Sequence, residues 1–152
     1  MQEMTISNDI LIPRIAEIVA MGKNVILTLR GRSMRPWLQD GRDKALLAAP
    51  PKTLRRGDVI LARVWGVNAR GESPYYALHR ILKIKDGEIL MLGDGNLAVE
   101  RVLPKDVIAI AVGFYRKGRI QIEYPSRRAY RLYWHVWLWL RHVRRVLLWV
   151  VP

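Results

Sequence analysis

Cysteine is absent from the chain. That absence removes a disulfide framework, thiolate metal sites and a cysteine nucleophile together, and it fits a reducing compartment. Histidine is nearly as scarce, with three in 152 residues, so an imidazole base has few places to sit. Long apolar runs are also missing. No stretch reaches the roughly 18–20 consecutive apolar residues of a spanning helix. The Met1–Thr5 opening lacks the basic-then-apolar pattern of a secretory leader. Acids are outnumbered, 13 Asp and Glu against 26 Lys and Arg, which leaves a net charge of +13. Residues 125–152 hold no acid at all. No internal repeat or low-complexity tract is visible.

Half of the residues (51%) are hydrophobic, which argues against disorder, and the length suits one domain with a real core. Asn8 to Met21 reads as a short helix. Leu11, Ile15, Ile18 and Val19 fall at helical spacing, Asn8 or Asp9 is the cap, Pro13 belongs in the first turn and Gly22 ends the helix. The period then changes. Val25–Leu29, Lys44–Ala48, Val59–Trp65, Tyr75–Ile84, Ile89–Leu92, Val107–Tyr115 and Arg119–Glu123 read as strands, with Asp86-Gly87 and Lys117-Gly118 as hairpin turns. Strands that recur without intervening helices predict a mainly β, antiparallel architecture. Residues 127–149 read as one long helix, with Arg127, Arg131, His135, Arg141, His142 and Arg145 on one side and Tyr133, Val136, Leu140, Val143 and Leu147 on the other. The expected organisation is an N-terminal helical segment (1–24), a β domain (25–124) and a basic amphipathic helix (125–152).

Three short segments carry chemistry. Ser33 lies in Gly31-Arg32-Ser33-Met34-Arg35-Pro36, after a strand. A serine hydroxyl is a weak nucleophile until a base takes its proton. His79 is the only histidine before the C-terminal helix, and an imidazole can accept that proton and return it to a leaving amine. Asp94, in Gly93-Asp94-Gly95-Asn96, is placed to hold the imidazole tautomer, and Glu100 can share or take over that role. Each segment also has a plain reading, as a loop serine, a strand histidine and a tight turn. Their joint presence favours a Ser–His–acid set.

The order Gly31-x-Ser33-Met34-x-Pro36, Arg56-Gly57-Asp58-Val59-Ile60, His79-Arg80-Ile81 and Gly93-Asp94-Gly95-Asn96 resembles the signal peptidase I / LexA-like serine peptidases. The run from Asp106 to Gly113 resembles their final core strand, so the resemblance covers about Val25 to Glu123. It implies a LexA/signal-peptidase-like antiparallel core, here flanked by the short N-terminal helix and the long amphipathic C-terminal helix already read from periodicity. Bacterial signal peptidases and LexA-type repressors use a Ser–Lys dyad. The endoplasmic-reticulum and archaeal type has histidine instead, and His79-Arg80 looks like that type. In that type the Gly-Asp aspartate and an acid six positions later both matter, which points to Asp94 and Glu100 here and leaves open which one orients His79. Gly31-Arg32 stands where signal peptidases carry Ser-Gly, nearer the LexA pattern. The oxyanion hole is therefore expected from the backbone of the Gly31, Ser33 and Met34 turn. Neither the anchoring helix nor the helix-turn-helix that precedes such cores in these families is read before Ser33, so a LexA-type repressor is not expected.

The resemblance implies a serine endopeptidase that makes limited cuts in a leader or precursor peptide bound as an extended strand, with no metal or cofactor. The expected location is the cytoplasm, at the membrane face. Arg131, Trp134, Trp137, Arg141 and Arg145 are the expected contacts with an anionic membrane surface or a partner. A helix packed on its own domain satisfies the same pattern. Nucleic acid is disfavoured because the cationic tract lacks a recognisable binding motif. A catalytically inactive peptide-binding module, or a membrane-surface adaptor, is the rival function.

Overall fold

The computed structural model describes residues 7–150. The Met1–Thr5 opening and the last two residues of the C-terminal segment lie outside them. Helix α1 (Asn8–Ala20) starts after Ser7, whose carbonyl accepts the amides of Ile10 and Leu11. Ile12, Ile15 and Val19 form its buried stripe, at the spacing of one helical face. Pro13 sits in the second turn rather than the first, where it removes one intrahelical donor without breaking the helix.

Eight strands follow: β1 (Val25–Thr28), β2 (Lys44–Ala48), β3 (Val59–Val64), β4 (Tyr75–Lys85), β5 (Glu88–Leu92), β6 (Glu100–Val102), β7 (Val107–Tyr115) and β8 (Ile122–Glu123). All pair antiparallel in the order β1-β2-β7-β3-β4-β5-β6, with β8 added on β7. The sheet curls into a half-barrel. Register shifts in β2, β3 and β4 help it to bend, since a bulge increases local twist. Asp86-Gly87 and Lys117-Gly118 have positive φ at both residues, the conformation that tight hairpin turns require.

Strand alternation divides the apolar residues between two cores. Val59 and Leu61 of β3 face α1, Phe114 and Tyr130, while Ile60, Ala62 and Val64 face Ile81, Ile89 and Met91 inside the curl. A period of two places neighbours on opposite faces.

Four points differ from expectation. The strand at β6 was not anticipated, because three residues carry too little pattern to detect. The strand expected over Arg119–Glu123 shrinks to its last two residues. The single helix expected over 127–149 is broken into α2 (Arg128–Trp139), a 3-10 turn (Leu140–His142) and α3 (Arg144–Val150). The physical reason is Arg144, which is 1% exposed. Its guanidinium turns inward to the carbonyls of Trp137, Gly93 and Asn96. The apolar side is also rotated from the expected one. Tyr130, Trp137 and Leu138 are buried, whereas Val136 and Val143 are about half exposed.

Candidate active site

The loop between β1 and β2 carries Ser33. Its base is closed by the Leu29 amide on the Asp43 carbonyl at 2.9 Å and the Gly41 amide on the Leu29 carbonyl at 2.8 Å. Met34 and Leu38 anchor it in the core. Asp43, fully buried, accepts hydrogen bonds from the Arg42 guanidinium and from the Gln39 and Lys117 amides. Burial alone would raise the Asp43 pKa, but the Arg42 hydrogen bond and those amides hold it below the ordinary carboxylate value. Gly31 has φ +89°, a conformation that glycine adopts without strain. The Gly31 amide donates to Asp40 Oδ1 at 2.9 Å and so is taken. The Ser33 and Met34 amides make no hydrogen bond among the described residues, which leaves two donors of the expected oxyanion turn free.

His79 projects from β4 opposite Ile60 of β3 and is 4% exposed. Its Nδ1 pairs with Glu100 Oε2. Glu100 opens β6 and stands opposite Met91 of β5, which brings it across the curl to His79. The other carboxylate oxygen, Oε1, accepts the Tyr75 hydroxyl at 2.7 Å. Tyr75 lies four residues before His79 on the same strand, hence on the same face. Burial, and then the hydrogen bond and charge of Glu100, push the Tyr75 phenol well above its ordinary pKa. It therefore stays protonated and donates.

The Ser33 loop meets this assembly at the Gly93–Asn96 turn. The Gly95 amide donates to the Ser33 carbonyl at 2.7 Å. A Cβ added to Gly93 would lie 2.5 Å from the Ser33 carbonyl oxygen and 2.9 Å from His79 Nε2. Those two atoms thus border one spot that only a glycine leaves free. A Cβ on Gly95 would collide with the Arg32 carbonyl. The imidazole is consequently held at Nδ1 by an acid and presents Nε2 toward the serine loop. Among the described residues no hydrogen bond yet joins the Ser33 hydroxyl to His79.

Asp94, the first-named acid for His79, is engaged elsewhere. Arg80 projects from the opposite face of β4 and binds it through two hydrogen bonds, Nε to Oδ1 at 2.8 Å and a terminal nitrogen to Oδ2 at 2.7 Å. The Tyr133 hydroxyl adds a third bond at 2.9 Å, and the Trp137 indole N–H donates to the Asp94 backbone carbonyl at 2.7 Å. Burial by itself would lower the Arg80 pKa, but the charge and hydrogen bonds of Asp94, together with the Tyr130 and Tyr133 phenols, outweigh it and keep the guanidinium ionised. The acid at the imidazole is Glu100.

The C-terminal residues expected to touch a membrane separate. Trp137 is 7% exposed and bonded to the turn. Trp134 packs so closely on Gly57 that a Cβ there would run into its ring. Arg131, Arg141 and Arg145 remain exposed. Sequence reasoning missed Tyr75, Tyr133 and Arg144. Only Tyr75 had a local signal, its two-residue periodicity with His79. Among the described residues no group of three His, Asp or Glu side chains could hold a metal ion.

No family model, curated protein or solved structure matches this chain.

Proposed function

We propose that the protein is a serine endopeptidase of the signal peptidase I / LexA-like kind, with Ser33 as nucleophile, His79 as base and Glu100 as the orienting acid. The observation that carries this reading is the polarity of His79, with Glu100 on Nδ1 and Nε2 beside the Ser33 loop. The curled antiparallel sheet supports it, as does the order of the sequence motifs. An acid on one ring nitrogen selects the tautomer whose other nitrogen is a base.

In the first step Ser33 Oγ bonds to the scissile carbonyl carbon while its proton passes to His79 Nε2. The amides of Ser33 and Met34, unbonded among the described residues, are the proposed donors to the developing oxyanion. The peptide C–N bond then breaks and His79 returns the proton to the leaving amine. Water, deprotonated in turn by His79, cleaves the acyl-enzyme ester. The substrate is a leader or precursor peptide bound as an extended strand, cut at the cytoplasmic face of a membrane. The cysteine-free composition suits that reducing side.

A peptide-binding module of the same architecture is favoured by one observation, the missing Ser33–His79 hydrogen bond. Such bonds often tighten only when substrate binds, so a covalent probe separates the two readings. A fluorophosphonate is expected to label folded protein at Ser33, as located by peptide mass mapping. Labelling that survives Ser33→Ala, or no labelling of the folded wild type, sinks the peptidase reading.

A further inference from the structure

We propose that the outward face of the C-terminal segment docks on an anionic lipid surface, through Trp139, Val146, Trp149 and Val150 with Arg141 and Arg145 beside them. These are not the tryptophans that composition singled out. Trp134 and Trp137 are used inside the fold, whereas Trp139 is 78% and Trp149 93% exposed. Val146, Trp149 and Val150 fall at i, i+3 and i+4 of α3 and share one face. They are 68%, 93% and 77% exposed, an apolar strip that water does not favour.

Charge selects the occupant. No acid lies between Tyr124 and the end of the sequence, so nothing on this segment neutralises Arg141 and Arg145. A groove between the 3-10 turn and the β4–β5 hairpin continues the surface. Its floor is apolar, including Leu82, Leu90 and Leu138, and Arg55, Arg56 and Lys83 add cations at its wall. No acid lines it. A second copy of the chain would set arginines against arginines, which is unfavourable. A nucleic acid would satisfy the arginines but leave Val146 and Val150 without a partner. An anionic bilayer answers both, with phosphates for the cations and the headgroup–acyl boundary for tryptophan and valine.

The same segment holds the turn of the candidate active site, because Arg144 binds the Gly93 and Asn96 carbonyls and Trp137 binds that of Asp94. Docking would therefore bring the Ser33 loop close to the membrane surface. This consequence rests on the peptidase reading; the docking does not.

The test is vesicle flotation of the full chain with phosphatidylcholine alone and with a 7:3 mixture of phosphatidylcholine and phosphatidylglycerol. Binding is expected only to the mixed vesicles and is expected to fall as salt is raised. Replacing both Arg141 and Arg145 with glutamine should lower the partition coefficient about 25-fold, about fivefold for each charge. Trp149→Ala should weaken binding and remove most of the blue shift in tryptophan fluorescence. Circular dichroism should match wild type for each of these surface variants. Ser33→Ala should float like wild type, which keeps this result distinct from any failure of the peptidase reading. Absence of flotation, equal binding to neutral vesicles, or a dimer that depends on Trp149 would each overturn the proposal.

Discussion

His79 and Arg80 follow one another on β4, and the strand turns them to opposite faces, each to meet a carboxylate. Arg80 uses its whole fork. Two nitrogens hold Asp94, and the third reaches the Gly57 carbonyl at 3.1 Å and the Tyr130 hydroxyl at 2.8 Å. It is 0% exposed. His79 uses one nitrogen on Glu100 and turns the other toward the serine loop. Arg80 is thus closed on every side, and His79 is closed on one. A buried pair with every nitrogen engaged is costly to break. A base must keep one nitrogen unengaged until substrate arrives. The comparison teaches that burial and pairing alone do not separate the closed Arg80–Asp94 pair from the His79–Glu100 pair of the proposed mechanism. The unmatched atom does.

The largest expected effects fall on the open side. His79→Gln should slow labelling at Ser33 by a serine-reactive probe about 10³- to 10⁶-fold, with the thermal midpoint little changed. Labelling near the wild-type rate would remove His79 from the mechanism. Glu100→Gln is expected to slow the same reaction by about 10² to 10⁴, because the amide no longer selects the tautomer. Asp94→Asn should behave differently. It leaves Arg80 buried with half of its partner, and a loss of about 3–5 kcal/mol in urea unfolding is expected. If Asp94→Asn kept full stability while losing only rate, and Glu100→Gln the reverse, the two carboxylates would have to exchange roles.

The choice between Asp94 and Glu100, left open by the sequence, shows what the chain makes legible. The hairpins at Asp86-Gly87 and Lys117-Gly118, the alternating strands and the mainly β class follow from local turn chemistry and a two-residue period, which any short window contains. The meeting of Ser33 with the Gly93–Asn96 turn does not. It depends on two glycines whose missing side chains admit another loop's carbonyls, a long-range fit with no local pattern. The choice of acid was hidden for a similar reason. Gly93-Asp94-Gly95-Asn96 is a conspicuous motif, whereas Glu100 sits in a three-residue strand that is recognisable only once β5 pairs with it. The break in the C-terminal helix was also invisible, because six arginines in residues 125–152 look alike until one of them is buried.

Arg144 sharpens the comparison from the closed side. It supports the turn by hydrogen bonds of 3.1–3.4 Å to three carbonyls. Arg144→Ala should cost about 1–3 kcal/mol by leaving those groups under-satisfied. The measurement is again the urea midpoint, and an unchanged midpoint would show that the helical break has another cause.

The smallest effect probes the open side at one remove. Tyr75 touches Glu100 rather than the imidazole, so it is a positioning residue for the acid. Tyr75→Phe keeps the ring and removes only the hydroxyl, which leaves Glu100 Oε1 without that donor and freer to turn away from His79. A hydrogen bond to a charged group contributes about 1.5 kcal/mol at the low end of its range, so a fall of about tenfold in kcat is expected. KM should stay close to wild type, because Tyr75 reaches the acid and not the peptide. A purely structural role would lower stability and leave kcat of the folded fraction unchanged. Equal falls in kcat for Tyr75→Phe and Tyr133→Phe would erase the distinction between the two faces of β4, since Tyr133 donates to Asp94 on the closed side.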